Sequence, residues 1–248
     1  YIGIHHISPI EDAYRLYVRN FLVTKTQTTA DSPAAVTELS AEAGAEGALE
    51  AVLTFKMPTT SVTGTELPAS TQLTAKAVAV ERKSTGNVTV GEASVTGTPG
   101  QAMTMKVPAT QGMTFIGVTT SSDKGEGMLA ETNVYCGVYA PTTPDVKAKI
   151  SDDNMTVTFE ITPKDYNDNG EYAGAAQQDV TIFRKVNGEW RVAEEIGKQR
   201  TWQFTHPEGP QELHAIGIGV KNAAGSCEEM YTFSAHMGPV SYTHIRAH

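Results

Sequence analysis

The segment "DYNDNG", which begins at Asp165, has the spacing of the first half of a calcium-binding loop. Asp165, Asn167 and Asn169 would offer side-chain oxygens to Ca²⁺, and Gly170 would permit the sharp bend of such a loop. The twelfth position is Ala176 instead of the bidentate Glu, so two ligand oxygens and one negative charge are missing. Asn, Asp and Gly are also the usual residues of turns between strands. The segment is therefore open to two interpretations, a calcium site or an ordinary loop.

The segment "HAIGIGVKNAAG", residues 214–225, raises the question of a phosphate-binding loop. A dinucleotide-binding loop has G-x-G-x-x-G at the start of a helix. Here Gly217-x-Gly219 is followed by Asn222, and no helix signal follows. The apolar residues between the glycines alternate with period two, which predicts a strand. We interpret the segment as a strand that turns at its end into another strand.

Neither catalysis nor a zinc site is indicated by the sequence. There is no Gly-x-Ser-x-Gly elbow, and no carboxylate pair lies in apolar surroundings that would raise its pKa. His5 and His6 would face opposite sides of a strand, because they are adjacent. The other candidates, His206, His214 and His236, have no partner at ligand spacing. We therefore predict that the chain is not an enzyme and has no cofactor, with calcium as the one open alternative.

Composition and charge narrow the class of protein. The 248 residues include 40% hydrophobic and 19% charged residues, with a net charge of −9 at pH 7. An acidic chain without a basic stripe is not expected to bind nucleic acid. No apolar run approaches the ~20 residues of a membrane span, and abundant Thr and Val favour strands over helices. Cys136 and Cys227 match no metal or redox motif, and we expect both to be free because they fall in different halves of the chain.

Two series of alternating segments follow one another, and each predicts one β-sandwich of about 100 residues. We place the first domain at residues 33–140 and the second at 144–237. The Pro-containing segment "APTTP" separates them, and "ADSPAA" precedes the first. The pair Asn187-Gly188 predicts a tight hairpin turn within the second domain.

The two series also predict an internal repeat. An offset of roughly 100 residues pairs Phe55 with Phe159 and Gly125 with Gly225. The inward-facing apolar residues of the early strand are Leu49, Ala51, Leu53 and Phe55 in the first series, and Met155, Val157, Phe159 and Ile161 in the second.

The two ends of the chain fall outside the two predicted sandwiches. Residues 1–26 are predicted to form two strands, which cannot hold a core alone. We expect them to close a domain that begins upstream. Residues 240–248, which include "SYTHIRAH", resemble translated adapter sequence. We expect this segment to be a non-native tail and exclude it from the predicted fold.

Residues from about 33 to 237 resemble two tandem fibronectin type III domains of the kind found in long secreted proteins of Bacteroidetes. The resemblance rests on a strand that ends "TFKMP" or "TFEITP" after a Pro-flanked linker, and on a late strand that ends "VKNAAG". In the N-terminal segment, "LYVRNFLVT" resembles the closing strand of an adhesin-like jelly-roll domain. The implied fold is all-β: two tandem immunoglobulin-like (fibronectin type III) β-sandwiches with a short N-terminal β remnant.

Two features depart from the family pattern. Members usually carry a Trp on the second strand, where Phe55 and Phe159 stand in this chain. The corner tyrosine of the late strand is replaced by Thr114 in one domain and by His214 in the other. The hydrogen bond that the corner tyrosine makes is therefore not expected in its usual form.

The resemblance implies non-catalytic spacer or presentation modules of a secreted or cell-surface bacterial multidomain protein, with adhesion as one role. The implied partners are the neighbouring domains of the same chain, and surface glycans or proteins. Two alternatives remain open. One is a carbohydrate- or protein-binding module that uses the polar loops 58–72 and 163–178, and the other is the accessory region of a secreted hydrolase.

Overall fold

The computed structural model of this chain describes residues 28–239. The predicted N-terminal remnant, residues 1–26, and the predicted tail, residues 240–248, lie outside the described residues. The regular elements within 28–239 are fifteen β-strands and two single 3-10 turns. The predicted all-β class is therefore confirmed. No helix in the described part of the chain is long and apolar enough to cross a membrane.

Seven strands form the first sandwich, as two antiparallel sheets. They are β1 (Thr37–Ala43), β2 (Glu50–Lys56), β3 (Leu73–Lys83), β4 (Gly86–Gly97), β5 (Ala102–Pro108), β6 (Gly112–Ser122) and β7 (Gly125–Cys136). One sheet has the order β1-β2-β5, and the other has the order β4-β3-β6-β7. Two facing antiparallel sheets whose strands follow one another along the chain in this order form an immunoglobulin-like sandwich.

Eight strands form the second sandwich on the same plan. They are β8 (Asp145–Ile150), β9 (Thr156–Thr162), β10 (Asp179–Val186), β11 (Glu189–Gly197), β12 (Thr201–Thr205), β13 (Glu212–Asn222), β14 (Gly225–Ser226) and β15 (Tyr231–Met237). One sheet has the order β12-β9-β8, and in the other β11, β10 and β13 are neighbours, with β14 and β15 both paired to β13. The last strand of the first sandwich is thus divided in two in the second.

The period-two pattern of the sequence explains which face each strand buries. On β13, Ile216 and Ile218 are fully buried and Val220 is 2% exposed, and β13 lies between β10 and β15. The segment that resembles a phosphate loop is therefore a central strand, as predicted. Its glycines allow a close approach: a Cβ on Gly217 would lie 2.6 Å from Sδ of Met230.

Each sandwich has its own hydrophobic core. The larger side chains of the first core include Leu53, Phe55, Leu73 and Ile116. Those of the second core include Phe159, Ile161, Ile182, Ile216 and Ile218. Burial of these side chains, at about 1.5–3 kcal/mol each, is the main stabilising term in each body. Because the two clusters share no residue, each sandwich is stabilised by a hydrophobic core of its own.

The hairpin predicted at Asn187-Gly188 is confirmed. These two residues connect β10 to β11, and both have positive φ, 54° and 85°. Positive φ at both central positions is the requirement of a type I′ turn, which matches the twist of the paired strands. The sequence pair therefore sets this connection directly.

The two sandwiches repeat the same strand order, but the predicted pairing of Phe55 with Phe159 is wrong by two residues. Strand β9 begins 106 residues after β2, at Thr156 against Glu50, so Phe159 corresponds to Leu53. The offset falls to 100 at β13, which begins at Glu212 against Gly112, because the β3–β4 hairpin is longer than the β10–β11 hairpin.

The same offset of 100 in the late strands supports two other predicted pairs. Gly125 and Gly225 each begin the strand that follows the turn after the late strand. Thr114 and His214 are buried at matching positions of β6 and β13. These two residues therefore occupy one structural position, although their chemistry is different.

Candidate functional site

The linker between the two sandwiches, residues 137–144, is bound by side chains of the first sandwich. The Gln111 side chain brackets Val138: Nε2 donates to the Val138 carbonyl at 2.7 Å, and Oε1 accepts from the Val138 N–H at 3.0 Å. The Tyr135 hydroxyl donates to the same carbonyl at 3.3 Å. Val138 is 1% exposed, so the linker leaves the first sandwich in a fixed direction.

The next residue of the linker is bound by the second sandwich. The Tyr139 N–H donates to the Tyr172 carbonyl at 2.8 Å. The Asn222 side chain donates through Nδ2 to the carbonyls of Tyr139, at 2.7 Å, and of Ala173, at 2.8 Å. Further along, Thr143 Oγ1 donates to the Glu229 carbonyl at 2.9 Å. Consecutive linker residues are therefore held from opposite sides.

A glycine allows the two bodies to come into contact beside the linker. Gly47, before β2, has φ +71°, and a Cβ placed on it would lie 2.7 Å from Cγ1 of Val138 and 3.2 Å from Cδ1 of Tyr172. Any side chain at this position would press against the linker and against the second sandwich. The close packing of this corner therefore requires glycine, for its backbone angle and for its size.

A polar cleft of about 630 Å³ opens where the linker meets the second sandwich. The rings of Tyr135 and Tyr139 stack on one of its walls, with centroids 4.3 Å apart. The cleft is also lined by the carboxylates of Asp168, Glu171, Glu228 and Glu229. Burial raises the pKa of Tyr139, and the charge of Glu171 raises that pKa further. Because no Lys or Arg of the described residues pairs with these four carboxylates, the cleft favours cationic or hydroxyl-rich ligands.

The calcium-like segment lies at the edge of this cleft, and two of its predicted ligands have partners within the protein. Asp165 Oδ1 accepts the Ala175 N–H at 2.9 Å. Asn167 Oδ1 accepts the N–H groups of Asn169, at 3.1 Å, and of Glu171, at 2.9 Å. The side chains thus serve as turn-forming acceptors.

No three His, Cys, Asp or Glu side chains within residues 28–239 converge in a geometry that could hold a metal ion. Asn169, the third predicted calcium ligand, is exposed at the tip of the loop. Calcium binding by Asp165, Asn167 and Asn169 therefore stays a prediction, and it would require the turn to exchange its internal hydrogen bonds for metal contacts.

The two cysteines lie in different sandwiches, each as a free thiol. Cys136 is fully buried at the end of β7, and its Sγ donates to the Glu50 carbonyl at 3.4 Å. Burial raises the pKa of the Cys136 thiol. Cys227 is half-buried after β14, where its Sγ accepts the Val220 N–H at 3.3 Å.

Two histidines without a motif in the sequence meet inside the second sandwich. His206, in the loop after β12, is 3% exposed and His214, on β13, is 6% exposed. His206 Nδ1 lies 2.8 Å from His214 Nε2. On its other side, His214 Nδ1 lies 3.3 Å from Nη2 of Arg184, on β10. We call His206 and His214 the histidine pair.

The surroundings of the histidine pair disfavour positive charge. Burial lowers the pKa of His214, and the charges of Arg184 and His206 lower that pKa further, while Glu212 acts in the opposite direction. The Nε2 atom of His206 is buried without a hydrogen-bond partner. A buried unpartnered N–H costs about 1–3 kcal/mol. The amino-acid sequence does not reveal this contact, because no metal or catalytic motif has the spacing of His206 and His214, although the replaced corner position pointed to His214.

No family model matches this chain, and no curated protein matches it. Among solved structures, it is similar to a crystal structure of the chicken CNTN1 FN1-FN3 domains, with 14% identity and a TM-score of 0.31; the match covers 84% of this chain and 68% of that chain. A likeness this distant supports no inference about function. The immunoglobulin-like, fibronectin type III-like fold of this chain rests on its own strand order.

Proposed function

We propose that the two sandwiches are non-catalytic spacer modules that present neighbouring domains of a secreted or cell-surface protein at a fixed angle. The observation that supports this proposal is the linker, whose residues Val138 and Tyr139 are bound on consecutive positions by side chains of the two bodies. A linker with saturated backbone groups has little freedom left to bend.

The rest of the described chain fits a mechanical role. Each body has a separate core, so the junction transmits orientation and does not need to supply stability. The acidic surface, with a net charge of −9 over the whole chain, keeps like rods apart. An extracellular or cell-surface location, adhesion, and an origin in Bacteroidetes belong to this proposal through the family resemblance.

Distances between spin labels test the fixed angle. One label is placed at exposed Asn87, on β4, and one at exposed Glu208, after β12. We expect one narrow distance distribution for the unaltered junction. Asn222→Ala removes the contacts to Tyr139 and Ala173, and it is expected to broaden the distribution. Asn133→Ala, at an exposed position of β7, is the control and should leave the distribution narrow. A broad distribution before any substitution would contradict the proposal.

The cleft supports a second candidate function, the binding of a glycan or a cationic peptide. Stacked tyrosines and carboxylates without a cationic partner are the groups that bind sugar hydroxyls or ammonium groups in proteins. Isothermal titration against a panel of oligosaccharides and basic peptides tests this function. Saturable binding that Tyr139→Ala abolishes would support this second function. The absence of a binding heat for every member of the panel would contradict it, and the spacer role would then be the only proposed function.

The absence of catalysis is itself part of the proposal, and so is the alternative that these modules accompany a secreted hydrolase. We expect no turnover by the purified chain on a panel of glycan, ester and peptide substrates. Turnover that survives repurification and depends on one residue of the chain would contradict this expectation.

A further inference from the structure

The direction of the hydrogen bonds in the histidine pair follows from Arg184. A guanidinium only donates, so His214 Nδ1 accepts from Arg184. The proton of a neutral His214 is then on Nε2, which donates to His206 Nδ1 at 2.8 Å. His206 therefore carries its own proton on Nε2, the buried atom that has no partner. The chain of bonds runs in one direction and ends in an unused donor.

This arrangement has no place for another proton. Protonation of His214 at Nδ1 would replace the bond from Arg184 by two positive groups in contact. Protonation of His206 at Nδ1 would set two N–H groups against each other at 2.8 Å. Either event breaks a bond of the buried pair, and no carboxylate among the described residues hydrogen-bonds to either imidazole ring.

The pair joins three segments at the end of the second sandwich. His206 lies in the loop after β12, and its N–H donates to the Met155 carbonyl at 2.7 Å. His214 lies on β13. The unpartnered Nε2 of His206 faces Gly238, where a Cβ would lie 2.9 Å away. Gly238 directly follows β15, so the pair lies under the point at which the chain leaves the sandwich.

We propose that the histidine pair is an acid-sensitive lock, which holds the loop after β12 against β13 and Gly238 near neutral pH and releases them when the pair is protonated. The charged and titratable groups that act on the pair are Arg184, from β10, and Glu212, from β13. The neighbouring side chain from β12 is the Phe204 ring, whose centroid lies 4.7 Å from that of His214.

The first sandwich provides an internal reference. Its position equivalent to His214 is Thr114, whose Oγ1 accepts the Thr110 N–H at 3.4 Å. Its strands and loops, residues 33–136, contain no histidine. Acidification to pH 5 is therefore expected to act on the second sandwich and to leave the first unchanged.

The direction in which pH changes the stability follows from the neutral charge of His214 in the folded state. The unfolded chain binds protons below its ordinary imidazole pKa of about 6.5, whereas folded His214 resists protonation because its pKa is lowered. Stability is complete above that pH and falls as the pH decreases through 6.5. For one histidine that stays neutral when folded, the unfolding equilibrium constant rises about 30-fold between pH 7.5 and 5.0.

Tryptophan fluorescence makes the measurement selective, because both tryptophans, Trp190 and Trp202, lie in the second sandwich. Urea unfolding of the full chain is followed by this signal at pH 7.5 and 5.0. Hydrogen exchange of peptides from β3 and β6 reports the first sandwich in the same samples. We expect the fluorescence transition to move to lower urea at pH 5.0, by up to about a 30-fold change in the unfolding equilibrium constant for each histidine that stays neutral when folded, while the first sandwich keeps its protection.

Two variants and one NMR measurement distinguish the proposed role of the histidine pair from general acid sensitivity. The double variant His206→Gln and His214→Gln should lose most of the pH dependence, whatever its stability at pH 7.5. His236→Gln, at an exposed position of β15, should keep it. If the double variant does not fold, imidazole NMR of the unaltered chain decides: folded His214 should stay neutral at a pH where the imidazoles of the urea-unfolded chain are protonated. Protonation of His214 over the same pH range in the folded and the unfolded chain, or an equal loss of stability in both sandwiches, would overturn the proposal.

Discussion

The β2–β3 loop of the first sandwich and the β9–β10 loop of the second follow the same path with different side chains. In the first, Ser61 Oγ accepts the Thr65 N–H at 3.2 Å. In the second, Asn167 Oδ1 accepts the Glu171 N–H at 2.9 Å. In both, a glycine with positive φ follows three residues after the acceptor. The turn therefore forms with or without acidic residues, so its shape alone is no sign of calcium.

The linkers of the two sandwiches extend the comparison. The segment before β1 binds the first sandwich through Ala34, whose N–H donates to the Thr60 carbonyl at 2.9 Å and whose carbonyl accepts from Thr120 Oγ1 at 2.9 Å. The segment before β8 binds the second sandwich in the same region, through Tyr139 and Asn222. Within residues 28–239, the second linker is also hydrogen-bonded by the body that precedes it, through Gln111 and Tyr135.

The largest expected effect tests the separation of the two cores. Phe159→Ala removes a fully buried ring that meets Phe233 edge to face, with centroids 5.2 Å apart. We expect it to destabilise the second sandwich by about 3–5 kcal/mol, seen as a shift of the tryptophan fluorescence transition. The counterpart Leu53→Ala should destabilise the first sandwich by a similar amount and leave that transition in place. A shift in fluorescence on Leu53→Ala would mean that the cores are coupled.

The next effect concerns the corner where the bodies touch. Gly47→Ala adds a methyl group against Val138 and Tyr172 at positive φ, and we expect a loss of about 2–4 kcal/mol in the unfolding free energy of the first sandwich. Gly64→Ala is the matched control, because Gly64 has φ +86° with no atom near the added Cβ. It should cost about 1 kcal/mol from the backbone angle alone. Equal losses of unfolding free energy in the two variants would show that the close contact at Gly47 does not contribute to stability.

A smaller effect distinguishes the two loops. Asn167→Ala removes the acceptor of two backbone N–H groups, and we expect a loss of about 1–2 kcal/mol in the second sandwich. Ser61→Ala removes one such acceptor from the first sandwich and should cost about 1 kcal/mol. Urea unfolding with and without calcium measures both variants. Calcium that stabilises the unaltered chain but not Asn167→Ala would establish the metal site.

The smallest perturbation uses the thiols. Half-buried Cys227 should react with a thiol reagent in the native chain. Cys136 should react only on unfolding, because it is fully buried and its raised pKa keeps it protonated at neutral pH. Mass spectrometry after a short exposure measures the two sites separately. Equal rates at both would contradict the packing of β7 against the first core.

The strands were predictable because their information is local. Alternation placed Ala51, Leu53 and Phe55 inside the first sandwich, and Asn187-Gly188 set a turn without help from distant residues. Leu49 was predicted to face inward but is 53% exposed, because β2 begins one residue later.

The junction and the histidine pair were not predictable, since both depend on residues brought together by the fold. Gln111 and Asn222 are far apart in the sequence, and they look like ordinary loop residues until the linker is placed between them. His206 and His214 meet only because the loop after β12 turns back onto β13. The composition of the segment "APTTP" predicted a linker, but it could not show that residues just before it, Val138 and Tyr139, are hydrogen-bonded from both sides.

The relative orientation of the two sandwiches in solution tests the central claim most directly. Residual dipolar couplings of the backbone N–H groups, measured on the full chain in a weakly aligning medium, give one alignment tensor for β1–β7 and one for β8–β15. Because the linker is bound from both sides, we predict tensors of the same magnitude and orientation. A clearly smaller tensor for one sandwich would mean that the bodies reorient independently, and the fixed junction would be wrong.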